Sequence, residues 1–302
     1  MGLRIIRALD PIAVENIIMC IYGPPGVCKS SFGYSAEAPV LLDFDKGAHR
    51  AVGRKDTIPV DTWDDVAGIT ESDLAPYKTI VVDTAGRALD RLSAHIIASD
   101  AKMGRGGALT LQGYGRLKVD FVRWLNYLRG FRKDIMLLAH SSEDKNGDDT
   151  VERIDAQGSS KGEIYKVADA MGKISIVGGK RKLTFSPTET SFGKNPAQFG
   201  ILDIPHYDEN DHFAADIIEA IKAKLNDFAE LQRKRQEMLV PWMEDVAGAD
   251  TPEAITELSV RYKEADRSLH DTLRKSILAK AESMGLEFDK ASSAFVAKVG
   301  AA

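Results

Sequence analysis

Short apolar runs alternate with segments of helical periodicity over the first two thirds of the chain. Four apolar runs predict buried strands, at residues 17–22, 39–44, 79–83 and 135–140. Before the fourth run, residues 111–131 carry apolar side chains at helical spacing: Leu117, Phe121, Trp124, Leu125 and Leu128. Strands that alternate with helices favour an α/β fold, with a mostly parallel central sheet and helices on both of its faces.

The pattern changes after residue 173. Residues 174–177 and 180–185 flank the turn Gly178-Gly179 and predict a β-hairpin, and residues 201–204 predict one more strand. These strands would extend the sheet in an antiparallel sense. From residue 206 the periodicity is helical, with interruptions at Pro241 and at 248–252, and a second long helix is predicted as far as residue 269. We therefore predict a core over residues 1–205 and a helical C-terminal region over residues 206–302.

The two C-terminal helices have an apolar stripe that is no longer than packing within one chain requires. An antiparallel helical hairpin is therefore the favoured interpretation. A coiled-coil oligomer or an arm that docks a protein partner is the alternative. The last residues, 296–302, are predicted to be frayed.

Two polar segments interrupt the predicted core. Residues 99–112 are rich in glycine and carry Lys102 and Arg105, and residues 141–162 are polar throughout and show no periodicity. Loops of this length inside a compact domain are usually functional or disordered. Both segments are therefore predicted to be loops, and both are candidates for contact with a partner.

Composition narrows the class of protein only modestly. The 302 residues are 44% hydrophobic and carry a net charge of −5, an ordinary balance for a globular protein, so nucleic-acid binding would need a local basic surface. The two cysteines, Cys20 and Cys28, lie in a predicted strand and in the loop that follows it, which favours a reducing compartment over a disulfide. No targeting segment and no membrane-spanning run is recognisable, so we expect a cytoplasmic protein, in the host cytoplasm if the gene is a phage gene.

The segment 16–31, NIIMCIYGPPGVCKSS, places a buried strand, a tight loop and a helix start in one order. That is the context of the phosphate-binding motif G-x-x-x-x-G-K-[ST], in which backbone N–H groups surround a phosphate. Lys29 would reach the outer phosphates, and the Ser30 hydroxyl would ligate Mg²⁺. A chance turn is the alternative. The residues predicted to contact the nucleotide are Gly23, Pro24, Pro25, Gly26, Val27, Cys28, Lys29, Ser30 and Ser31.

One residue departs from this motif, because Cys28 stands at the position of the second glycine. If the backbone there needs an unusual φ, the replacement of glycine costs on the order of 1 kcal/mol. We therefore expect weakened or altered nucleotide binding, rather than none.

Three polar side chains follow predicted strands at the edge of the sheet where ligands bind. Asp83 ends an apolar strand, as the aspartate of a Walker B motif does, and would hold Mg²⁺ opposite Ser30; a capping or turn aspartate is the alternative. Asp45 could orient the water that attacks the terminal phosphate, or it could be a solvated turn residue. His140 could sense that phosphate, or it could simply be satisfied at a polar strand end.

Together these segments resemble the RecA-type recombinase ATPases, and most closely the phage-encoded single-strand annealing ATPases with a RecA-like core. The resemblance covers about residues 15–205. The segments that carry it are GPPGVCKSS (23–31), LLDFDKGAHR (41–50), TIVVDTAGRAL (79–89), LTLQGYGRLKVDFVRWLNYLR (109–129), IMLLAHSSED (135–144) and GSSKGEIYKVADAMGKISIV (158–177).

The resemblance implies an ATP-dependent protein that binds single-stranded DNA and forms a ring or filament of identical subunits. It implies that Lys29, Asp45, Asp83 and His140 are the catalytic residues, although the familiar base is Glu rather than Asp, and many members have Gln where His140 stands. It also implies that the segments 99–112 and 141–162 bind DNA, although the second is rich in acidic residues, which oppose phosphate contact. The candidate DNA contacts on charge are Lys102, Arg105, Lys161, Lys180, Arg181 and Lys182, the last three of which could instead form a solvated turn.

Three functions remain open from the sequence. The first is a DNA-stimulated ATPase that promotes annealing or pairing of single strands. The second is an ATP-binding scaffold, in which Cys28 has reduced hydrolysis and the helical C-terminal region recruits a protein partner. The third is a P-loop kinase for a small substrate, which would need a lid and a substrate pocket that the sequence does not identify.

Overall fold

The computed structural model describes residue 6 and residues 12–146 and 149–298. The chain forms two compact units, Val14–Leu225 and a second that begins at Asn226. The boundary predicted after residue 205 lies ahead of this division, because Ile217, Ile218 and Ile221 of the first long C-terminal helix pack into the core of the first unit.

Strands and helices alternate through the first unit, as the sequence predicts. Its strands are β1 (Ile18–Gly23), β2 (Pro39–Asp43), β3 (Thr57–Pro59), β4 (Thr79–Asp83), β5 (Gly104–Arg105), β6 (Ala108–Leu109), β7 (Asp134–Asn146), β8 (Asp149–Ile154), β9 (Ala170–Val177), β10 (Lys180–Thr184) and β11 (Leu202–Asp203). Its helices are α1 (Lys29–Tyr34), α2 (Asp64–Ala67), α3 (Ala85–Ser99), α4 (Leu111–Arg129), α5 (Ser160–Val167) and the start of α6 (Phe213–Gly248).

The central sheet has the strand order β11-β10-β9-β1-β7-β4-β2-β3. Every neighbouring pair from β9 to β3 is parallel, whereas β10 and β11 are antiparallel additions at one edge. The prediction of a mostly parallel sheet with an antiparallel extension is therefore confirmed. The register aligns Gly23 with His140 and Asp43 with Asp83, so the carboxyl ends of four strands meet at one edge.

Helices cover both faces of the sheet, and alternate residues of each strand therefore enter different cores. In β1, Ile18, Cys20 and Tyr22 pack on one face together with α3 and α4. Met19 and Ile21 pack on the other face with α1 and the first turns of α6. Because both faces are covered, β1 is apolar along its whole length rather than alternating in polarity.

The two polar segments predicted to be loops contain regular structure. Residues 99–112 include a 3₁₀ turn and the two-stranded ribbon β5–β6, and residues 141–146 of β7 pair antiparallel with residues 149–154 of β8. Consequently His140 lies within β7 instead of ending it, although the parallel pairing with β1 stops at this residue. The prediction of loops was wrong because these strands are short or mostly polar, and the two buried apolar residues of β8, Val151 and Ile154, are three positions apart and show no strand period.

The second unit contains the end of α6, then α7 (Pro252–Arg261), α8 (His270–Ser283) and the hairpin β12 (Leu286–Asp289)–β13 (Ala294–Ala297). Ile255 and Leu258 of α7 pack against Ile277 and Ala281 of α8. The predicted hairpin paired the helix after residue 206 with the helix that begins at residue 252, so α8 is a further helix that the sequence did not predict. Two details differ from the prediction. The helix α6 continues through Pro241, and two 3₁₀ turns at Tyr262–Glu264 and Arg267–Leu269 break the predicted second helix.

The terminal hairpin is a further departure. Residues 296 and 297 belong to β13, where a frayed end was predicted, and Phe295 of this strand is buried in the core of the second unit. The part of the prediction that covers residues 299–302 lies outside the described residues.

Candidate nucleotide site

The loop between β1 and α1 has the course of a phosphate-binding loop. Gly23 must be glycine, because a Cβ there would lie 2.5 Å from the Ile174 carbonyl oxygen of the neighbouring strand. Gly26 adopts φ +81°, a left-handed conformation that glycine accepts without steric cost. The loop then enters α1 at Lys29, so the first N–H groups of the helix face the same space.

Cys28 also adopts the left-handed conformation, with φ 67° and ψ 35°, at the N-terminal cap of α1. The unusual φ considered from the sequence is therefore present. Its carbonyl oxygen accepts the first helical hydrogen bond, from the Phe32 N–H at 3.0 Å, and its side chain is exposed. A residue with a Cβ thus holds a backbone geometry that the motif normally gives to glycine.

Lys29 is folded back over the loop and is only 6% exposed. Its Nζ donates to the carbonyl oxygens of Gly23 at 3.0 Å and Pro24 at 2.9 Å, and lies 3.3 Å from Nδ1 of His140. Burial lowers the pKa of Lys29 to about 8, against the opposing effect of the nearby carboxylates. A phosphate at the loop would supply the anionic partner that this buried ammonium group needs.

Ser30 and Asp83 form the second part of the site. The Ser30 hydroxyl donates to Oδ2 of Asp83 at 2.5 Å, and Asp83 is 2% exposed at the end of β4. Burial is the main cause that raises the pKa of Asp83 to about 6. A hydroxyl and a carboxylate converging beside a phosphate loop are the hard oxygen donors that Mg²⁺ takes, with phosphate and water completing its octahedron. These two residues fit Mg²⁺.

Asp45 and His140 complete the edge. Oδ2 of Asp45 lies 3.9 Å from Nε2 of His140, and burial lowers the pKa of this histidine, so its neutral form is favoured. Asp43, the last residue of β2, is structural: its carboxylate accepts from the N–H groups of Gly47 at 2.9 Å and Ala48 at 3.0 Å. These bonds shape the turn that presents Asp45.

A family model described as an AAA domain matches residues 15–197, more than half of the chain. The chain belongs to the AAA domain family. It is therefore a nucleotide-binding protein of the P-loop ATPase class, and the AAA domain occupies most of the first unit. No curated protein sequence matches the chain. None of the helices among the described residues is long and apolar enough to cross a membrane.

The AAA domain has one site residue that the sequence did not single out. Arg87, in the first turn of α3, directs Nε to Asp45 at 3.5 Å and Nη1 to Asp90 at 3.0 Å. Asp90 in turn accepts from the side-chain amide of Gln157, beyond β8. A sequence signal existed, because Arg87 lies four residues after Asp83, but arginine on a helix surface is too common to be diagnostic.

A cavity of about 170 Å³ adjoins the phosphate loop of the AAA domain on the side of α1. It is mostly apolar, and Cys28 and Ser31 form its boundary with the loop. The rest of the nucleotide would extend in this direction from a phosphate at Lys29. The other lining residues include Phe32, Val52, Arg181, Ile204, Tyr207 and Phe213.

The six basic residues predicted to contact DNA lie on four elements of the AAA domain, and three of the six share β10. Lys102 and Arg105 are exposed on the 3₁₀ turn and on β5. Lys161 on α5 is paired with Asp144 at 3.1 Å, and Lys182 on β10 is paired with Asp203. The two remaining candidates on β10 differ from each other: Lys180 is exposed, and the Nε of Arg181 is buried beside the cavity described above.

Proposed function

We propose that this chain is a Mg²⁺-dependent ATPase that acts on single-stranded DNA as a homo-oligomer and promotes annealing or pairing of strands. The observation that carries the ATPase chemistry is the convergence of Lys29, Ser30, Asp83, Asp45 and His140 at one edge of the sheet. The DNA substrate and the oligomer are supported by the resemblance to RecA-type annealing ATPases.

The residues of the site divide the reaction between them. The loop N–H groups and Lys29 bind the outer phosphates. Ser30 and Asp83 would hold Mg²⁺, which would supply positive charge against the phosphates. Asp45 orients the attacking water and accepts its proton. Arg87 and His140, which contact or approach the Asp45 carboxylate, keep it aimed at that water.

The site is physically linked to the β7–β8 hairpin. Strand β7 passes His140 and continues into the hairpin without a break, and the Asp155 N–H after β8 donates back to the His140 carbonyl oxygen at 2.8 Å. Gly86 packs closely against the same segment, because a Cβ there would lie 2.5 Å from the Asp155 carbonyl oxygen. A movement of His140 with the phosphate state therefore moves the base of the hairpin.

The test is the steady-state rate of ATP hydrolysis at low salt, with and without single-stranded DNA, with a Lys29→Met variant as the background control. Stimulation by single-stranded DNA that Lys29→Met abolishes is the expected result. Turnover that does not respond to DNA would overturn the DNA part of the proposal and leave the ATPase.

The left-handed Cys28 favours a second candidate function, an ATP-binding scaffold with little or no hydrolysis, in which the C-terminal helices recruit a protein partner. Nucleotide binding without turnover, with or without DNA, would favour this candidate. The variant Cys28→Gly then separates a site impaired by this residue from a site that lacks catalysis for another reason.

A further inference from the structure

We propose that an open groove beside the β7–β8 hairpin binds single-stranded nucleic acid, with Phe192, Tyr165 and Arg153 as the surface on which bases stack. The inference rests on the proposed function, because it places the DNA of that function on particular side chains. The groove has a volume of about 460 Å³. The resemblance had implied DNA binding by the segment 141–162, in which Lys161 was chosen on charge; Tyr165 and Phe192 of this groove were not predicted from the sequence.

The centre of the groove is a stack of three side chains. The Arg153 guanidinium lies 4.2 Å from the centroid of the Phe192 ring, and the Tyr165 ring lies 4.4 Å from the same ring at an interplanar angle of 38°. Phe192 is nevertheless 41% exposed. Arg153 and Tyr165 both contact the Phe192 ring and are themselves partly exposed, so a base would meet the exposed part of Phe192 together with the outer surfaces of these two neighbours. Aromatic rings and guanidinium planes are the groups on which unpaired bases stack.

The stack is held in place from beneath. The Tyr22 hydroxyl of β1 donates to the Phe192 carbonyl oxygen at 2.7 Å, and the Ile154 N–H of β8 donates to the Tyr165 hydroxyl at 3.3 Å. The backbone of Phe192 is thus tied to the central sheet, and the side chain of Tyr165 is tied to the hairpin. Because the Phe192 ring packs against Tyr165 and Arg153, the surface is preorganised for a planar ligand.

The groove is basic in a chain whose net charge is −5. Its cations outnumber its carboxylates by four to two: Lys118, Arg153, Lys161 and Lys166 against Asp144 and Glu163. Two of the lysines share the single carboxylate of Glu163, at 2.9 and 3.0 Å. Arg153 donates to a neutral acceptor, the Glu152 carbonyl oxygen, and so keeps a charge for a phosphate.

The acidic residues of the segment 141–162 argued against DNA binding in this region. The structure shows why that argument was incomplete. Glu152 is paired with Lys173 at 2.6 Å and Asp144 with Lys161 at 3.1 Å. Lys118 and Phe192, which lie far away in the sequence, complete the groove. An acidic peptide would use the charge but not the exposed ring, and therefore nucleic acid is the favoured ligand.

The experiment measures the binding of a fluorescently labelled oligothymidylate to the full chain by anisotropy, over a range of salt concentrations. The variants are Phe192→Ala and Arg153→Gln, with Phe228→Ala, a phenylalanine on α6 that is 60% exposed, as the control outside the groove. We expect Phe192→Ala to weaken binding fivefold or more, about the loss of one base–aromatic stack. Arg153→Gln should reduce the slope of log Kd against log salt by about 0.7, the value for one phosphate contact on a single strand.

Phe192→Tyr keeps the ring and guards against a folding defect. It should bind like the wild type, whereas Phe192→Leu should bind like Phe192→Ala, and ATP turnover without DNA should be the same in all four proteins. If both Phe192→Ala and Arg153→Gln keep the wild-type affinity and salt slope, the proposal that this groove binds nucleic acid is wrong, while the proposed function stands. If the wild-type chain binds no oligothymidylate, the DNA part of the proposed function is wrong, and the groove proposal that rests on it is wrong as well. Equal competition by polyglutamate, lost in the same variants, would show an acidic-peptide site and contradict the inference.

Discussion

The replacement of Cys28 by glycine tests how much the altered phosphate loop limits this protein. Cys28 holds φ 67°, a conformation that costs a residue with a Cβ roughly 1–2 kcal/mol and costs glycine almost nothing. Cys28→Gly removes this cost without deleting a buried contact, because the cysteine side chain is exposed. The change therefore acts on the loop conformation rather than on the packing of the domain.

The size of the effect follows from the same number. If the left-handed state of residue 28 becomes about 1 kcal/mol more favourable, the binding-competent loop becomes about fivefold more populated relative to its alternatives. The apparent Kd is the intrinsic Kd divided by the fraction of chains whose loop is binding-competent, so ATP should bind up to about fivefold more tightly, with the full gain when that loop is the minor state of the wild type. The free energy of unfolding should change by less than about 1 kcal/mol, because glycine also gives the unfolded chain more freedom.

Calorimetric titration with ATP and Mg²⁺ measures this Kd, and two control variants isolate the cause. Cys28→Ala removes the thiol but keeps the Cβ, so its Kd should stay near the wild-type value. Arg132→Gly gives the same backbone relief at another left-handed residue, φ 54°, outside the phosphate loop, and should not alter nucleotide binding. An unchanged Kd in Cys28→Gly would refute the reasoning, and an equal gain in Cys28→Ala would assign the effect to the thiol.

Three further changes test the site and its support. Asp45→Asn should lower kcat about 100-fold or more and leave the KM for ATP nearly unchanged, because only proton transfer is lost; steady-state kinetics measures both. Arg87→Lys keeps the charge but loses the fork that joins Asp45 to Asp90, so kcat should fall while turnover in Arg87→Ala falls further. Lys222→Met removes the partner 2.7 Å from Asp134, which is 6% exposed, and should lower the free energy of unfolding by about 3–5 kcal/mol at pH 7. Burial raises the pKa of the Asp134 carboxyl in the folded chain above its value in the unfolded chain. As the pH falls, the folded chain therefore takes up this proton first, and the unpaired buried charge of the variant disappears. The stability lost in Lys222→Met should shrink between pH 7 and pH 4, which urea unfolding at each pH measures.

The features that sequence could predict are those with a strong local pattern. Continuous apolar runs gave the strands β1, β2, β4 and the parallel part of β7, and these strands are apolar because helices cover both faces. Once the sheet is parallel, its carboxyl ends share one edge, and the meeting of Lys29, Asp83 and His140 follows from topology. The fold prediction was confirmed for this reason.

The features that sequence could not predict depend on contacts between distant residues. The polar strands that follow His140 have no hydrophobic period, and their pairing is visible only once β7 and β8 are adjacent. Arg87 becomes a site residue only because α3 begins beside Asp45. Phe192 lies in a segment after β10 that has no motif, and its role depends on Tyr165 and Arg153, which come from other elements.

The structure also changes how the charge of the region after His140 should be understood. A count of charges along residues 141–162 treats each carboxylate as free, whereas the structure pairs Glu152 and Asp144 with lysines. Phosphate contact depends on the charges that remain available on one surface, not on the sum over a segment. Strand β7 joins the two sites, because its His140 lies beside Lys29 at the nucleotide edge and its Asp144 lines the groove. A ligand in the groove and a phosphate at Lys29 would therefore act on the same strand. A DNA-stimulated ATPase needs such a shared element, and the effect of Phe192→Ala on DNA-stimulated turnover, rather than on basal turnover, is the quantity that would measure it.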